Sequence, residues 1–477
     1  MKTVTWTTTM VALIGVFLIS VVTATANDEK NAGRRPPNFI VMMADDLGAA
    51  ELSCYGNTKH QTPRLDELGR KGIRFDTCYS TPICHPTRFE IMTGRYGHHN
   101  KVYHFPGRPG GPSPADDEIA KHLTFAQVLK PAGYATALAG KWQLTGKHPT
   151  LIHECGFDEY CMWAYKHNLP EGVEHTGSWE GKPGTKTCRY WHPSIVRNGK
   201  YVPTTINDYG PDIFADFVID FARRHKDEPF FIYYPMCLTH AWHLPTPDSV
   251  KSEESKLKHS QANFQADVEY TDKIVGRIAD AMKELGIADN TVILFTGDNG
   301  TGGRGKGQTT ELGARVPMIV HGPGVVKETG LCEELIDLSD VFPTLMEIAE
   351  AKVPDGHVID GRSFAHLLRG EQGPVRDWIY AYLGGRRVVR TKRWLLENNS
   401  PTQFGQLYDC GTCRDGGDYK NVTESNAPEV VAARRTMEKI LADKPVPDVS
   451  QEDQSAKKPR KKRAQEGKGK RQPAGKN

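Results

Sequence analysis

After Val22 the chain has no apolar run approaching the roughly 20 residues a membrane-spanning helix needs, which excludes an internal transmembrane segment. A single Cys-x-x-Cys, Cys410 to Cys413, excludes a four-cysteine zinc ribbon and leaves a local disulfide or two separate thiols. No period of 20–50 residues recurs, so solenoids and propellers are excluded. Strong charge of either sign is missing as well. The net +3 over 477 residues sits at one end: residues 446–477 hold ten Lys/Arg against four acids, which leaves the remainder at −3. That Lys/Pro/Gly/Gln-rich tail cannot bury a core and reads as solvated chain. A weak tether to an anionic polysaccharide or envelope is the sharper alternative. The mildly acidic body offers no face for nucleic acid.

At the N-terminus, Lys2 precedes the apolar run Met10 to Val22 and the small-residue site Ala24-Thr25-Ala26. Residues 1–26 therefore read as a secretory signal peptide, so the protein is expected to be secreted or periplasmic. Ten cysteines suit an oxidising compartment. The 38% hydrophobic and 25% charged composition is that of an ordinary globular chain.

Strand-like runs at Asn38 to Met43, Tyr134 to Leu138, Phe230 to Tyr234 and Val292 to Phe295 alternate with helical patterns. The clearest helices are the one opened by Thr62-Pro63, then Asp212 to Arg223 and Gln261 to Leu285. This alternation predicts an α/β fold with a mostly parallel or mixed central sheet sandwiched by helices, over 36–375. From 376 to 445 the texture shifts to short strands (Asp377 to Tyr382, Arg386 to Glu397, Phe404 to Tyr408) and a last helix, Pro428 to Leu441, a smaller α+β subdomain.

Asp45-Asp46 and Asp298-Asn299 each directly follow a strand run, where ligands collect in open α/β sheets. Three carboxylates and an amide form an all-oxygen set suited to calcium above magnesium, and without His or Cys beside them zinc fits poorly. Taken singly, either pair also suits a turn. Cys84-His85-Pro86-Thr87-Arg88 places a cysteine at the expected start of a helix beginning at Pro86, where free N–H groups favour an anion. Arg88, one turn on, can turn its guanidinium back towards residue 84. A buried thiol is the plain alternative for Cys84, and a surface ion pair for Arg88. A third reading, a cysteine nucleophile, wants a paired histidine, and His85 faces elsewhere if the helix starts at Pro86.

Cys84-x-Pro86-x-Arg88 followed by Thr93-Gly94-Arg95 resembles the signature of the formylglycine-dependent sulfatases, arylsulfatase-like members of the alkaline-phosphatase-like superfamily. The likeness extends from about residue 36 to 425. It takes in Thr62-Pro63-Arg64-Leu65-Asp66, Gly140-Lys141-Trp142, Gly297-Asp298-Asn299-Gly300, Lys306-Gly307, Arg315-Val316-Pro317 and Leu407-Tyr408-Asp409. The resemblance implies that a maturing enzyme converts Cys84 to formylglycine and that one Ca2+ is held by Asp45, Asp46, Asp298 and Asn299. It gives Arg88 the support of the aldehyde hydrate. It gives Lys141, His240 and Lys306 the grip on sulfate and the protonation of the leaving oxygen, with His243 the competitor for the family histidine. The implied substrate is a sulfated carbohydrate or a small aryl sulfate. One position departs from the pattern: Gln143 stands where many members carry the histidine that takes a proton from the hydrate, and glutamine is no general base. Either His148 or another nearby histidine then fills that role, or solvent does, or this branch turns over differently. The alternatives are a formylglycine-dependent phosphodiesterase or phosphonate monoester hydrolase, and a non-catalytic sulfated-glycan binder. Selectivity is expected in loops 101–118 and 163–210, whose Trp163, Trp179 and Trp191 are either sugar platforms or packing.

Overall fold

The computed structural model describes residues 35–108, 110–111, 118–144, 150–164, 178–179, 182–183, 188–413 and 418–448. The signal-peptide reading, the tail from 449 onward, His148 and the Trp179 side chain lie outside the described residues.

The principal elements of the larger part are β1 (Asn38–Ala44), α1 (Pro63–Lys71), β2 (Ile73–Tyr79), α2 (Cys84–Thr93), β3 (Ala135–Gly140), β4 (Glu159–Trp163), β5 (Ile195–Arg197), β6 (Lys200–Val202), α3 (Gly210–Arg224), β7 (Phe230–Pro235), α4 (Phe264–Glu284), β8 (Thr291–Gly297), β9 (Arg315–His321), β10 (Gly330–Cys332), β11 (Ile336–Asp337) and α5 (Val341–Ile348). Their strands form one 11-stranded sheet in the order β10-β2-β9-β8-β1-β7-β3-β4-β5-β6, with β11 also on β2. The middle of this sheet, β8-β1-β7-β3-β4, is parallel, and antiparallel strands extend it on both sides.

β1 is apolar at nearly every position because both of its faces are covered. Phe39, Val41 and Met43 join the layer of α2 and α5 through Phe89, Phe342 and Leu345. Ile40, Met42 and Ala44 face the layer of α3 and α4, meeting Phe214, Phe217, Val268 and Ile274. The period of two along one strand thus builds two cores, one on each side of the sheet.

The smaller part is a five-stranded antiparallel sheet, β12 (Trp378–Leu383), β13 (Arg386–Thr391), β14 (Trp394–Asn399), β15 (Gln406–Asp409) and β16 (Lys420–Asn421), followed by α6 (Pro428–Ala442). Tyr96 and Tyr103 of the larger part enter its core beside Tyr380 and Tyr382. The stretch Arg386 to Glu397, read as one strand, is a hairpin in which β13 pairs with β14. Its turn at Lys392-Arg393 has no Gly, Pro or Asn to announce it. A second difference concerns α2, which starts at Cys84, two residues before Pro86. Proline is tolerated at this third position because the first four helical N–H groups have no partner within the helix. Cys410 and Cys413 stand as two separate thiols and not as a local disulfide.

Candidate active site

Four adjacent parallel strands end at one edge. β1 pairs with β8 in a register that sets Ala44 opposite Gly297, so Asp45-Asp46 and Asp298-Asn299 emerge side by side. β7 lies on the other flank of β1, with Pro235 opposite Met43, and leads into the turn that carries His240. β3 comes next and ends at Gly140, directly before Lys141. Gly140 has φ 94°, and a Cβ there would lie 2.2 Å from the Pro235 carbonyl oxygen, so only glycine permits this delivery of the lysine. Asp46 (φ 62°) and Gln143 (φ 58°) also occupy the left-handed region. Such backbone persists where its surroundings hold it in place.

The carboxylates and cations interlock. Lys141 Nζ donates to Asp45 Oδ2 at 2.6 Å, and Arg88 Nη2 to Asp298 Oδ2 at 2.6 Å. Arg88 Nη1 also donates to the Lys141 carbonyl at 2.9 Å. Lys306 Nζ reaches the Asp46 carboxylate at 2.7 Å, and the Asp46 amide donates to Asp298 Oδ1 at 2.9 Å. Gly307 N–H, beside Lys306, donates to the Pro82 carbonyl at 2.7 Å and ties that loop to the segment before Cys84. The Cys84 Sγ and carboxylate oxygens of Asp45 and Asp298 all lie within 4.8 Å of one another. His240 Nε2 is 3.7 Å from Asp46 Oδ2, whereas His243 donates its side chain elsewhere, 2.7 Å from Asp267. Lys141 is buried against Asp45 rather than lying over the Trp142 indole, and Lys306 is paired rather than simply solvated.

Two acceptors in this cluster, Asp45 Oδ1 and Asn299 Oδ1, are buried without a hydrogen bond among the described residues. Burial opposes the ionisation of Asp45, yet Lys141, Arg88 and Lys306 together hold its carboxyl well below the usual carboxylate range. Burial and repulsion from Asp45 push Asp298 up to about 7, with Arg88 pulling the other way. Orphaned oxygens among crowded carboxyls are what a hard, oxygen-seeking cation would satisfy, so the residues fit calcium.

Burial pushes the Cys84 thiol up, and nearby Lys141 and Lys306 do not reverse this. His85 turns away, its ring 5.3 Å from Phe89 and 5.7 Å from Phe105. His85 therefore does not serve as the paired histidine of a cysteine nucleophile, and the raised thiol weighs against that reading. Against burial, Cys84, Asp46 and Asp45 hold Lys306 above the ordinary lysine range. Burial and then the Arg189 charge push His240 below the ordinary histidine range, a shift tempered because 25% of its side chain is open to solvent. The His240 Nδ1 bonds to the Ala241 carbonyl, so Nδ1 carries the proton of the neutral ring and Nε2 is an acceptor.

Sequence reasoning missed Arg189, which reaches Asp45 from the 163–210 loop expected to carry selectivity. No motif surrounds it, and the only available hint was a charged residue set between Cys188 and Tyr190-Trp191. Trp191 serves as packing: it is buried, donates to the Pro245 carbonyl at 2.7 Å and tilts against Tyr209. Trp163 is buried beneath the Arg189 guanidinium.

A family model described as Sulfatase matches residues 37–351. The chain is 29% identical to steryl-sulfatase of Mus musculus over 472 residues, covering 81% of this chain and 73% of that protein. It is 30% identical to arylsulfatase A of Homo sapiens over 378 residues, covering 73% and 71% respectively. The solved structure of Ps i-CgsB in complex with k-i-k-neocarrahexaose superposes with a TM-score of 0.68 at 25% identity, over 89% of this chain and 98% of that one. A strand-edge site of carboxylates and cations on this sheet, together with these matches, defines a hydrolase of sulfuric esters. The chain belongs to the sulfatase family.

Proposed function

We propose that the chain is an exported sulfatase that carries residue 84 as formylglycine, holds one calcium ion among Asp45, Asp46, Asp298 and Asn299, and cleaves a sulfate monoester of a carbohydrate. The observation that carries this reading is the approach of Cys84 Sγ to the Asp45 and Asp298 oxygens within 4.8 Å, on a helix whose Arg88 is locked onto Asp298. As a hydrated aldehyde, residue 84 would supply one hydroxyl to attack sulfur in line and a second to release the sulfate. Calcium in the oxygen cage would supply positive charge against the sulfate oxygens.

The chain's own residues divide the remaining work. Arg88, 1% exposed, faces residue 84 and cannot swing away without abandoning Asp298. Lys141 and Lys306 grip the sulfate oxygens and stand ready to protonate the departing oxygen. His240, with Nε2 an acceptor, takes the proton from a hydroxyl at residue 84, the task for which Gln143 is unfit. A carbohydrate is favoured over a simple aryl ester by the likeness to Ps i-CgsB, whose complex holds a neocarrahexaose.

The test is a mass spectrum of the peptide containing residue 84, from protein of the native source, joined to sulfate release from sulfated sugars and p-nitrophenyl sulfate with and without EGTA. An aldehyde at residue 84 and EGTA-sensitive release are expected. Full turnover by a protein with an intact thiol, or faster release of phosphate than of sulfate, would sink the reading.

A further inference from the structure

We propose that His98, His99 and Asp360 form a second metal site, separate from the acidic cage at the strand edge, which takes a zinc-like divalent transition cation and clips the segment after α2 to the loop around Asp360. These residues lie outside the chemistry assigned above, so the site stands whether or not the chain cleaves sulfate esters.

Helix α2 carries residue 84 at its start and caps on Gly94 at its end. The chain then passes through Tyr96 into the short helical turn Gly97–Asn100. The loop around Asp360 comes back to meet it. Asp360 N–H and Gly361 N–H donate to the Gly94 carbonyl at 2.8 and 3.1 Å, and the Tyr96 amide donates to Asp360 Oδ2 at 2.8 Å. Asn100 braces the other side: its Nδ2 donates to the Arg95 carbonyl at 2.7 Å, and its Oδ1 accepts the Val102 amide at 2.8 Å. Carboxylate and turn are thus held in place by groups that are not themselves ligands, as the outer partners of a metal site are.

Spacing favours a shared cation over a plain hydrogen-bonded pair. The rings of His98 and His99 lie 4.0 Å apart and approach different oxygens of one carboxylate. His98 Nε2 is 3.6 Å from Asp360 Oδ1, and His99 Nδ1 is 2.9 Å from Asp360 Oδ2. One ligand atom from each of the three residues falls within 4.8 Å of the other two. Two donors on a tetrahedral zinc, each about 2.0–2.1 Å from the ion, stand about 3.3 Å apart, between these two distances. At 3.6 Å His98 Nε2 stops short of a hydrogen bond, and His98 Nδ1 is buried with none among the described residues. An ion would satisfy the first nitrogen, and the proton that His99 Nδ1 donates to Asp360 would move to the other nitrogen of that ring.

Donor chemistry selects the ion. Two imidazoles and a carboxylate suit Zn2+ or Co2+ with water in the remaining position, whereas Ca2+ and Mg2+ want oxygen throughout. Charge points the same way. Lys101 and Lys444 act on His98, the first from its bond of 2.6 Å to the His98 carbonyl, the second from its place 4.2 Å over the Trp378 ring. One carboxylate facing two lysines is a poor trap for a hard cation, so binding depends on donation from imidazole nitrogen. The clip lies beside Tyr96, whose ring packs 5.3 Å from Tyr380 of the smaller part.

The experiment uses the full-length chain in excess calcium. ZnCl2 is titrated calorimetrically into wild type, His98→Ala, His99→Ala and His99→Gln, with Co2+ absorption as a second readout. Wild type should bind one zinc with a micromolar Kd, and its Co2+ spectrum should show nitrogen and oxygen ligation without the thiolate charge-transfer band that a cysteine site would give. Losing a ligand should weaken binding by about 100-fold or more, since even an outer partner is worth about 10–100-fold. Zinc should raise the melting temperature of wild type and leave that of the variants unchanged. His99→Gln, at a side chain 36% exposed, guards against a folding defect, because it should melt like wild type when zinc is absent. Wild type without a zinc site, variants that bind zinc as tightly as wild type, or a thiolate band in the Co2+ spectrum would overturn the proposal. Sulfate release in calcium alone should be equal for wild type and His99→Gln, and its absence from both would count against the sulfatase reading while leaving the zinc result intact.

Discussion

Replacing Arg88 by methionine tests the electrostatic frame of the site. Arg88 and Asp298 are 1% and 0% exposed, and their bond of 2.6 Å is the closest contact of either group with an opposite charge. Arg88→Met keeps the length of the side chain but strands a buried carboxyl. Breaking a buried pair by removing one partner costs about 3–5 kcal/mol, mostly through the charge left behind. The double variant Arg88→Met/Asp298→Asn leaves no stranded charge and should regain about 2 kcal/mol or more. Guanidinium denaturation followed by tryptophan fluorescence, in EGTA at pH 8, measures both. pH supplies an independent check. With Asp298 pushed up to about 7 in the wild type, the folded state holds an extra proton between about 4 and 7, and stability falls as pH rises through that window. Without Arg88 the carboxyl rises further, so its loss of stability continues above pH 7 after that of the wild type has ended. The gap between the two should therefore widen from pH 7 to 9. A double variant no more stable than the single one would refute the argument, since the damage would then come from lost packing and not from the charge.

Two further outcomes follow from buried positions elsewhere. Burial drives His85 down to about 3, against roughly 6.5 when unfolded, and only a loose approach to the Gln143 backbone offers relief. Stability should then fall with pH below 6.5 by about 1.4 kcal/mol per unit, and His85→Gln should remove this slope in denaturation curves taken at pH 7.5 and 5; equal slopes would show that His85 is not the buried neutral group. Gly140→Ala meets both φ 94° and the Pro235 oxygen at 2.2 Å, whereas Gly133→Ala meets φ 90° with open space around it. Gly133→Ala should cost about 1–2 kcal/mol and Gly140→Ala clearly more, with kcat reduced as Lys141 shifts; equal losses would mean that the carbonyl contact is harmless.

Much of this site was legible because its residues stand at the ends of apolar runs. Once Asn38 to Met43 and Val292 to Phe295 are read as strands, the acids that follow them must share the carboxyl edge of a parallel sheet, and the observed register sets Ala44 beside Gly297. Lys141 and His240 follow strands in the same way, and the geometry separates His240 from His243 although the sequence left both open. The hairpin within 386–399 could not be read, since its turn residues, Lys392 and Arg393, carry no conformational signal. The start of α2 at Cys84 was hidden by Pro86, which marks the first helical turn without fixing which of its positions it occupies. Arg189 was illegible for a different reason. Its place depends on stacking over Trp163 and on contacts far along the chain, neither of which leaves a periodic trace.

On the proposed mechanism, a glutamine at position 143 does not empty the site of a base. Position 143 follows β3 and His240 follows β7, and these strands are hydrogen-bonded neighbours with Leu138 opposite Tyr233. The proton-accepting role then passes from the loop after one strand to the turn after its neighbour, at the same edge of the sheet. The histidine is already prepared for it, since the Ala241 carbonyl fixes the tautomer that leaves Nε2 open, and burial together with Arg189 keeps the ring neutral. Gln143 keeps a buried carbonyl oxygen, Oε1, that accepts no hydrogen bond among the described residues. An acceptor of that kind can orient a hydroxyl on residue 84 without removing its proton. Positioning and proton transfer, united in one histidine in many relatives, are on this reading divided between two adjacent strands.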